Sequence, residues 1–424
     1  MQREHILFVG TCDLSGHFRG KSFPAAQLPS RLERGVGLAP TNLFISAFGP
    51  IHMTPFGTQG EVFLIPDPST RVDVPFDRPG GDDGGEHFML GDIVTLERAP
   101  WSHCPRTVLR RALESLHAET GLRLCSTFEQ EFTYDGVPAH PARPYELHAY
   151  RQQGLFGETL LAALRQAGVV PDSFLAEYGP RQFEVTVAPA VGMRAADEAV
   201  ITRELTQAVA HRFGARASFA PLPEPQAASN GTHIHWSFLD DRDRPVLYDS
   251  AQPWGLSVLG SRFVAGVVHH LPLLCAVTAP SVASYYRLRP NRWAPVRADW
   301  AVLDRGTSIR ICPATGGDPL QQARQFNIEY RVADATASPY LALAMLVQAG
   351  LDGVRRRLPL ESQPVRSLPS SLADALDLLE ASEPAAAWLG LDLTRSYIGF
   401  KRGEIRSLEQ LDETEICRRY AEVY

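Results

Sequence analysis

Five short segments of the 424-residue chain alternate ionisable and apolar side chains with a period of two. Successive side chains of a β-strand point to opposite faces, so this pattern predicts strands with one charged face. The charged positions are mostly glutamate, histidine and arginine, and they occur in FEQEF, FEVTV, THIHWSF, SIRI and IEYRV, which begin at residues 128, 183, 232, 308 and 328. Carboxylates with histidine are typical ligands of Mg²⁺ or Mn²⁺, and arginines beside them suit a site that clamps a transferring phosphoryl group.

A half-solvated antiparallel sheet would also alternate apolar and polar residues, and this is the alternative interpretation of any single segment. A merely solvated face, however, tends to carry threonine, serine and lysine. Crowding glutamates on one face raises like-charge repulsion unless cations neutralise them. Taken together, the five segments favour a metal-dependent site for phosphoryl transfer. The sequence contains neither GxxxxGK[ST] nor GxGxxG, so a P-loop or Rossmann nucleotide site is not indicated.

Composition argues against several other classes of protein. The formal net charge is −7 and there is no run of basic residues, so we expect no nucleic-acid partner. The most apolar stretch, residues 263–280, is broken by His269, His270 and Pro272, so we expect no membrane span. Six cysteines without a CxxC pair favour a reducing cytoplasm over a disulfide framework.

Apolar residues recur with helical spacing in several later segments. They predict helices over residues 106–119, 158–167, 194–213, 374–379 and 413–424. A further helix is expected to begin with Ser338 as N-cap and Pro339 at the first helical position, and to be mostly buried.

Longer motifs resemble those of the glutamine synthetase family, in the same order, along nearly the whole chain. They are GHFRGKSFP, LIPDPST, FEQEF, YGPRQFEV, NGTHIHWSF, SYYRLRPNRWAP, RGTSIRIC and IEYRVADATASPYLALAMLVQAGLDG. The resemblance implies an α+β fold, with a small β-grasp-like N-terminal domain over residues 1–98. Residues 99–424 would form a larger catalytic domain, in which helices flank a curved antiparallel sheet. It also implies a homo-oligomer of two stacked rings, a dodecamer, in which a neighbour's N-terminal domain completes each active site.

The same resemblance assigns roles to individual residues. One metal ion would be held by Glu131, Glu177 and Glu184. A second, which holds the ATP phosphates, would be held by Glu129, His233 and Glu329. The nucleotide would contact Asp172, His235, Ser237 and Arg310. We therefore expect ATP together with two to three Mg²⁺ or Mn²⁺ ions in each active site.

For the acid substrate the resemblance implies glutamate. Its binding residues would be Glu131, Ser229, Asn230 and Arg287, with Arg305 and Arg331 holding the transferred phosphate. Two of these segments depart from the family pattern. Ser229 stands where a glycine backbone normally approaches the glutamate, and Asn327 replaces the arginine of the usual RIEYR. Whether the acid is strictly glutamate therefore stays open.

Two further departures concern the nitrogen donor. The family's flap reads roughly RLxPxxEAP, and its glutamate takes a proton from ammonium, whereas residues 287–295 here read RLRPNRWAP with Trp293 at that position. The loop that normally supplies an aspartate to the ammonium pocket has no carboxylate between Asn42 and Glu61. A site that selects ammonium needs negative charge and a base, whereas tryptophan offers a large, stackable apolar surface.

These observations predict a carbon–nitrogen ligase that joins the γ-carboxylate of glutamate to an organic amine through γ-glutamyl phosphate. Trp293, Arg305 and Arg331 are the expected catalytic positions, and Asp299 is a candidate base. Polyamines, alkylamines and arylamines are all compatible with the sequence. The alternatives are a glutamine synthetase that uses ammonium, in which Trp293 only packs the flap, and a non-catalytic structural or ligand-sensing relative. Retention of all six predicted metal ligands argues against the non-catalytic relative.

Overall fold

The computed structural model describes residues 4–76, 84–138, 144–315 and 317–424. The N-terminal strands are β1 (Ile6–Cys12), β2 (Phe18–Pro24), β3 (Val36–Leu38), β4 (Val62–Pro66), β5 (Val72–Val74) and β6 (Glu86–Val94). They form one sheet in the order β2-β1-β6-β4-β3, with β5 also paired to β6. Strands β1 and β6 are parallel and the other pairs antiparallel, and helix α1 (Leu28–Arg34) packs against β4. The predicted β-grasp-like arrangement is confirmed.

A larger sheet forms the centre of the remaining chain. Its strands are β7 (Arg123–Tyr134), β8 (Pro171–Ala176), β9 (Gln182–Val187), β10 (Ala190–Val191), β11 (Ala217–Ser218), β12 (Thr232–Leu239), β14 (Trp300–Val302), β15 (Ile309–Ile311) and β16 (Ile328–Tyr330). Their order is β14-β15-β16-β12-β7-β9-β8, with β10 and β11 also on β7. All pairs are antiparallel except β14–β15. Strands β13 (Arg297–Ala298) and β17 (Arg366–Ser367) pair separately.

Helices flank this sheet, as predicted. They are α2 (Pro105–Thr120), α3 (Leu147–Gln152), α4 (Phe156–Gln166), α5 (Met193–Arg212), α6 (Val258–Thr278), α7 (Ser284–Arg287), α8 (Pro319–Gln325), α9 (Pro339–Arg356), α10 (Leu372–Glu380), α11 (Glu383–Leu389), α12 (Leu391–Leu408) and α13 (Glu413–Val423). Helices α2, α4, α5, α10 and α13 lie within two residues of the predicted bounds. Helix α9 begins at Pro339 after Ser338, but the Ser338 side chain makes no capping hydrogen bond.

Helices α6 and α9 pack together in the core of the catalytic domain. Their backbones touch: a Cβ on Gly266 would lie 2.2 Å from the carbonyl oxygen of Ala349, and one on Gly353 would lie 2.2 Å from that of Arg262. Helix α6 is long and apolar enough to span a bilayer by length and composition, but 61% of its most apolar window is buried inside the protein. The interruption expected at Pro272 does not end the helix. Packing against α9 therefore accounts for its apolar composition.

Candidate active site

Adjacent strands of the catalytic sheet place the predicted metal ligands side by side. Cross-strand pairs join Glu131 of β7 to Glu184 of β9, and Glu129 of β7 to His233 of β12. Directly opposite residues have Cβ atoms about 4.5–5.5 Å apart, so the register itself brings these ionisable groups together. The ligand atoms of Glu129, Glu184 and His233 lie within 4.8 Å of one another. They form the first group that could hold a metal ion.

A second group centres on Glu329 of β16, which stands opposite His235 of β12 and Arg310 of β15. The ligand atoms of Glu129, His235 and Glu329 again lie within 4.8 Å of one another. His233 Nδ1 is 3.2 Å from Glu129 Oε2 and 3.4 Å from Glu329 Oε1, so the residues predicted for the second metal are close together. His235, predicted as a nucleotide contact, also stands among these ligand atoms, and Glu129 belongs to both groups.

The three glutamates predicted for the first metal line one cavity, but their carboxylates are not all directed at one point. Glu131 Oε2 accepts a hydrogen bond from the Gly231 N–H at 2.6 Å. Glu177 Oε1 accepts one from the Tyr145 hydroxyl at 3.1 Å. Among the described residues, Glu184 is therefore grouped with Glu129 and His233 rather than with these two glutamates.

The electrostatics of this face fit a divalent cation. Burial raises the pKa of the Glu184 carboxyl to about 9, and the negative charges of neighbouring glutamates add to the effect. Burial would also raise the pKa of Glu129, but the imidazoles of His235 and His233 outweigh it and hold that pKa well below its ordinary value. Carboxylates crowded in this way are a hard donor set whose repulsion a dication relieves. The residues present therefore fit Mg²⁺ or Mn²⁺.

Three buried arginines near the glutamates retain an unused donor. The Nε atoms of Arg287, Arg310 and Arg331 are buried and have no hydrogen-bond partner among the described residues. Arg310 and Arg331 both pair with Glu329, the former at 2.9 Å. Arg287 also donates to the carbonyl oxygens of Val332 and Arg331, at 2.8 and 3.0 Å. Buried donors without a partner are costly, so these guanidinium groups suit phosphate or carboxylate ligands.

The cavity in front of these groups has a volume of about 680 Å³. Predicted site residues in its lining are Glu129, Glu131, Glu177, Glu184, Ser229, His233, Arg287, Trp293, Arg305 and Arg331. Arg305 is exposed in the segment after β14 and reaches the cavity from there. No described residue of the N-terminal sheet contributes to the lining.

The remaining predicted nucleotide residues lie beside the cavity rather than in its lining. Ser237 follows His235 on the same face of β12, because the two are separated by two positions in a strand. Asp172 is exposed at the start of β8 and accepts a hydrogen bond from Thr186 Oγ1 at 3.3 Å. His235 Nδ1 is 2.8 Å from Asn327 Oδ1, so the residue that replaces the family's arginine contacts this imidazole instead.

A buried glutamine organises the loop predicted to bind the acid substrate. Gln182 Nε2 is 2.8 Å from the Ser229 carbonyl oxygen, 3.0 Å from Asn230 Oδ1 and 3.3 Å from Glu131 Oε2. Asn230 Nδ2 in turn donates to the Ala220 carbonyl at 2.9 Å, and Asn230 is 1% exposed. The Asn230 side chain thus holds the loop in place. The Asn230 main-chain N–H also donates, to the Pro221 carbonyl oxygen at 2.9 Å, so this donor is not free for a substrate either.

Gly231 allows two site residues to approach the backbone closely. A Cβ at this position would lie 2.6 Å from an Arg287 Nη atom and 3.1 Å from His233 Nε2. A larger residue would displace the arginine predicted to bind the substrate carboxylate.

The flap, residues 287–295, is fastened to residues 225–229, a loop that also lines the cavity. Arg292 donates to the carbonyl oxygen of Ala227 at 3.1 Å and also to that of Pro225. In return, the Ser229 hydroxyl donates to the Arg292 carbonyl at 3.1 Å. Ser229, predicted from the resemblance as a glutamate contact, therefore also links the loop to the flap.

Aromatic side chains form one wall of the cavity. Trp293 stacks on Tyr178 with ring centroids 5.5 Å apart and an interplanar angle of 17°. Tyr145 meets Tyr178 edge-on at 5.8 Å, and its hydroxyl reaches Glu177. Trp293 nevertheless remains 75% exposed. We refer to Tyr145, Tyr178 and Trp293 as the aromatic wall.

The candidate base Asp299 lies outside the cavity lining. It is 8% exposed and accepts a hydrogen bond from the Ser308 N–H at 2.9 Å. Arg297 Nε lies 3.4 Å from its other oxygen. These partners indicate that Asp299 supports the segment between β13 and β15.

Sequence reasoning missed Tyr145, Tyr178, Gln182 and Arg292. Tyr178 and Gln182 belong to YGPRQFEV, and Arg292 belongs to RLRPNRWAP. The sequence therefore identified their motifs but could not predict which residues their side chains contact. Tyr145 has a positive φ of 59° in a segment without periodicity, and no pattern marked it.

Comparisons with known proteins agree with this geometry. Residues 102–420 match the family model of the glutamine synthetase catalytic domain, and residues 2–101 match that of the glutamine synthetase N-terminal domain. The chain is 32% identical to γ-glutamylpolyamine synthetase GlnA3 of Streptomyces coelicolor, over 99% of this chain and 93% of that protein. A crystal structure described as a novel glutamine synthase homolog superposes with a TM-score of 0.94 at 41% identity, covering 100% and 99% of the two chains. A GmaS complex with ADP superposes with a TM-score of 0.82 at 26% identity, covering 97% and 95%.

The chain belongs to the glutamine synthetase family. It is a carbon–nitrogen ligase, and enzymes of this family use ATP, divalent metal ions, glutamate and either ammonia or an amine.

Proposed function

We propose that this enzyme joins the γ-carboxylate of glutamate to an organic amine, with ATP as the phosphoryl donor and γ-glutamyl phosphate as the intermediate. The observation that carries this proposal is Trp293, which lies on the aromatic wall at the position of the family's flap glutamate. A residue that served only to pack the flap would bury its ring, whereas Trp293 is 75% exposed. Its surface is therefore available to an apolar or planar substituent on the nitrogen donor.

The charges around the cavity support the acid half of the reaction. The side chains of Arg287 and Arg331 would bind the substrate carboxylate and the transferred phosphate, because both are buried and retain a free Nε donor. Arg305, exposed at the cavity, would hold the phosphate from the solvent side. Such preorganised cations act where negative charge accumulates during phosphoryl transfer.

Two groups of residues would hold divalent metal ions, which when bound neutralise the ATP phosphates. Glu129, Glu184 and His233 form one group, and Glu129, His235 and Glu329 form the other. Glu131 and Glu177, predicted for the first ion, line the same cavity. The hard, oxygen-rich donor set favours Mg²⁺ or Mn²⁺, two to three in each site. Ser237, Asp172 and Arg310 are proposed to surround the nucleotide, and His235, predicted as a nucleotide contact, is proposed instead as a ligand of the second metal ion.

The second half of the reaction is attack of the amine nitrogen on the γ-carbonyl carbon, with phosphate as the leaving group. Ammonium must lose a proton before it can attack, and the flap offers no carboxylate to receive it. Arylamines, which are already neutral at pH 7, need no base before they attack, and the departing phosphate can take the proton that the adduct then loses. Polyamines and alkylamines are protonated like ammonium and would need a base from another group. The name of the Streptomyces relative supports polyamines, and the aromatic wall is equally compatible with alkylamines or arylamines.

A panel of nitrogen donors tests the proposal. ADP release is measured with glutamate and ATP fixed, while ammonium, polyamines, alkylamines and arylamines are varied. We expect the best organic amine to exceed ammonium in kcat/KM by at least roughly a hundredfold, about 3 kcal/mol in transition-state binding. Comparable values for ammonium and every amine would return the enzyme to the glutamine synthetases, and no ADP release with any donor would favour a non-catalytic relative.

Assembly and location complete the proposal. We propose a cytoplasmic dodecamer of two stacked rings, in which residues 1–98 of one subunit complete the cavity formed by residues 99–424 of the next. The absence of described N-terminal residues from the cavity lining supports it.

A further inference from the structure

The N-terminal domain carries a second cluster of ligand-type side chains, on its own sheet and apart from the cavity. Within the described ranges, His5, Asp73 and His87 are the one group outside the active site whose ligand atoms all lie within 4.8 Å of one another. Neither the ligase reaction nor the family's metal ions account for these residues.

The sheet itself fixes the relative positions of the three side chains. Asp73 of β5 stands directly opposite His87 of β6 in an antiparallel pair. His5 precedes β1, and its carbonyl oxygen accepts a hydrogen bond from the Ala25 N–H at 2.8 Å. The His5 and His87 rings meet edge-on with centroids 4.3 Å apart. The cluster therefore rests on backbone hydrogen bonds of three chain segments.

Asp73 supplies the one carboxylate of the cluster. One Asp73 oxygen contacts His87 Nδ1, and the other is 2.8 Å from an Arg71 Nη atom. A tetrahedral ion about 2.1 Å from each ligand holds the ligand atoms about 3.4 Å apart. The ligand atoms of the cluster lie within 4.8 Å of one another.

The donor set distinguishes this cluster from the active site. Two imidazoles and one carboxylate suit zinc, cobalt, nickel or copper, whereas the glutamate-rich cavity suits magnesium or manganese. We propose that His5, Asp73 and His87 form a surface site for a divalent transition cation of the zinc class, with water in the remaining position. Binding there would link the segment before β1 to the β5–β6 pair.

Zinc titration of the tag-free chain at saturating Mg²⁺ tests the site, with bound zinc counted per subunit. We expect the wild-type chain to bind one equivalent more than a His5→Ala/His87→Ala variant, and His5→Ala alone to weaken that equivalent at least tenfold. The matched control is His117→Ala, which removes an exposed histidine 2.9 Å from Asp241, a histidine–carboxylate pair with no third donor among the described residues. This control should bind as much zinc as the wild type.

Ligase turnover with Mg²⁺ should stay within about twofold of wild type in all three variants. None of these residues lines the cavity of its own subunit, and none belongs to the 42–61 loop that is predicted to supply the nitrogen-donor pocket. Equal zinc stoichiometry in the wild type and the double variant would contradict the proposed zinc site. The His87–Asp73 contact would then be only an ion pair. If the double variant does not fold, the exposed His5→Ala change decides the question by its affinity alone.

Discussion

We proposed above that the choice of nitrogen donor depends on Trp293. Its ring adds an apolar face to the cavity. Because tryptophan stands at the position of the family's flap glutamate, the flap has no carboxylate. We expect Trp293→Glu to raise kcat/KM for ammonium and to lower it for the best organic amine, each by at least roughly tenfold, about 1.4 kcal/mol. Steady-state kinetics with both donors measure the exchange.

Trp293→Phe serves as the companion variant, because it keeps an aromatic face without adding charge. It should retain most of the activity with the organic amine and gain none with ammonium. If Trp293→Glu and Trp293→Phe change the kinetics in the same way, the loss of the indole ring accounts for the change and the added carboxylate does not.

The metal assignments are also tested one residue at a time. Glu131→Gln and Glu329→Gln keep side-chain size while removing the charge, so each should lower kcat by roughly a thousandfold, about 4 kcal/mol, with little change in the circular dichroism spectrum. Glu158→Gln, on the exposed face of α4, is the control. Near-normal turnover of either site variant at saturating Mg²⁺ would remove that residue from the metal site.

At the scale of elements, the flap is fixed by contacts made through its backbone and one arginine. Arg292 joins it to the carbonyl groups of residues 225 and 227 in the neighbouring loop. Arg292→Ala should let the flap open and admit water to the acyl phosphate, so that ADP is released without matching amide. The ratio of ADP to γ-glutamylamide, which should be one in the wild type, is the measurement.

Arg289 provides a matched control in the same segment. It points away from the cavity, and its guanidinium lies 2.9 Å from Glu413 of α13. Arg289→Ala removes an equal charge from the flap but none of the hydrogen bonds between the flap and residues 225–229. A similar rise in uncoupled ADP release in both variants would mean that general loosening, not the Arg292 contacts, governs closure.

The sequence predicted the elements whose pattern is local and missed those that depend on distant partners. Alternation placed Glu129 and Glu131 on one face of β7, because strand geometry repeats every two residues. Gln182 lies 47 positions before Ser229, and no sequence pattern in either segment predicts the hydrogen bond between them. The sequence did not predict that helix α6 continues past Pro272, because its packing against α9 involves a distant segment of the chain.

At the scale of the whole molecule, His17 connects the two ends of the chain. It lies in the turn between β1 and β2 and stacks on Tyr424, with ring centroids 4.5 Å apart. Burial, with the positive charges of Arg203, Arg19 and Lys401, lowers the pKa of His17 to about 3. Between about pH 6.5 and pH 3, His17 is therefore protonated in the unfolded chain but neutral in the folded chain.

This difference predicts the direction of an acid effect. Above pH 6.5, His17 does not change the free energy of unfolding. Below pH 6.5 its titration lowers that free energy, by about 1–2 kcal/mol at pH 5. His17→Phe keeps the stacking and removes the titration, so its urea midpoint should fall less between pH 7 and pH 5 than that of the wild type. His117→Ala, an exposed histidine, should match the wild type. An unchanged difference in His17→Phe would show that His17 is solvated and titrates normally.

The shared site proposed above predicts the mass of the active enzyme. Twelve copies of a 46.7 kDa chain give about 560 kDa, which light scattering coupled to gel filtration would detect at assay concentration. Activity should disappear on dilution into monomers, because each cavity would then lack its neighbour's N-terminal domain. A fully active monomer would contradict the proposal.

The pairing of β7 with β12 also limits how this enzyme can change in length over evolution. From Thr232 opposite Gln130 to Leu239 opposite Arg123, each residue of one strand faces a fixed residue of the other. Loss of a single codon within either strand would turn the following side chains over, exchanging glutamates and histidines for the core's phenylalanines. Insertions and deletions that survive selection should therefore fall in connections such as residues 240–245, and a scan of single-codon deletions would show silent changes there and inactive enzyme within residues 128–132 and 232–238.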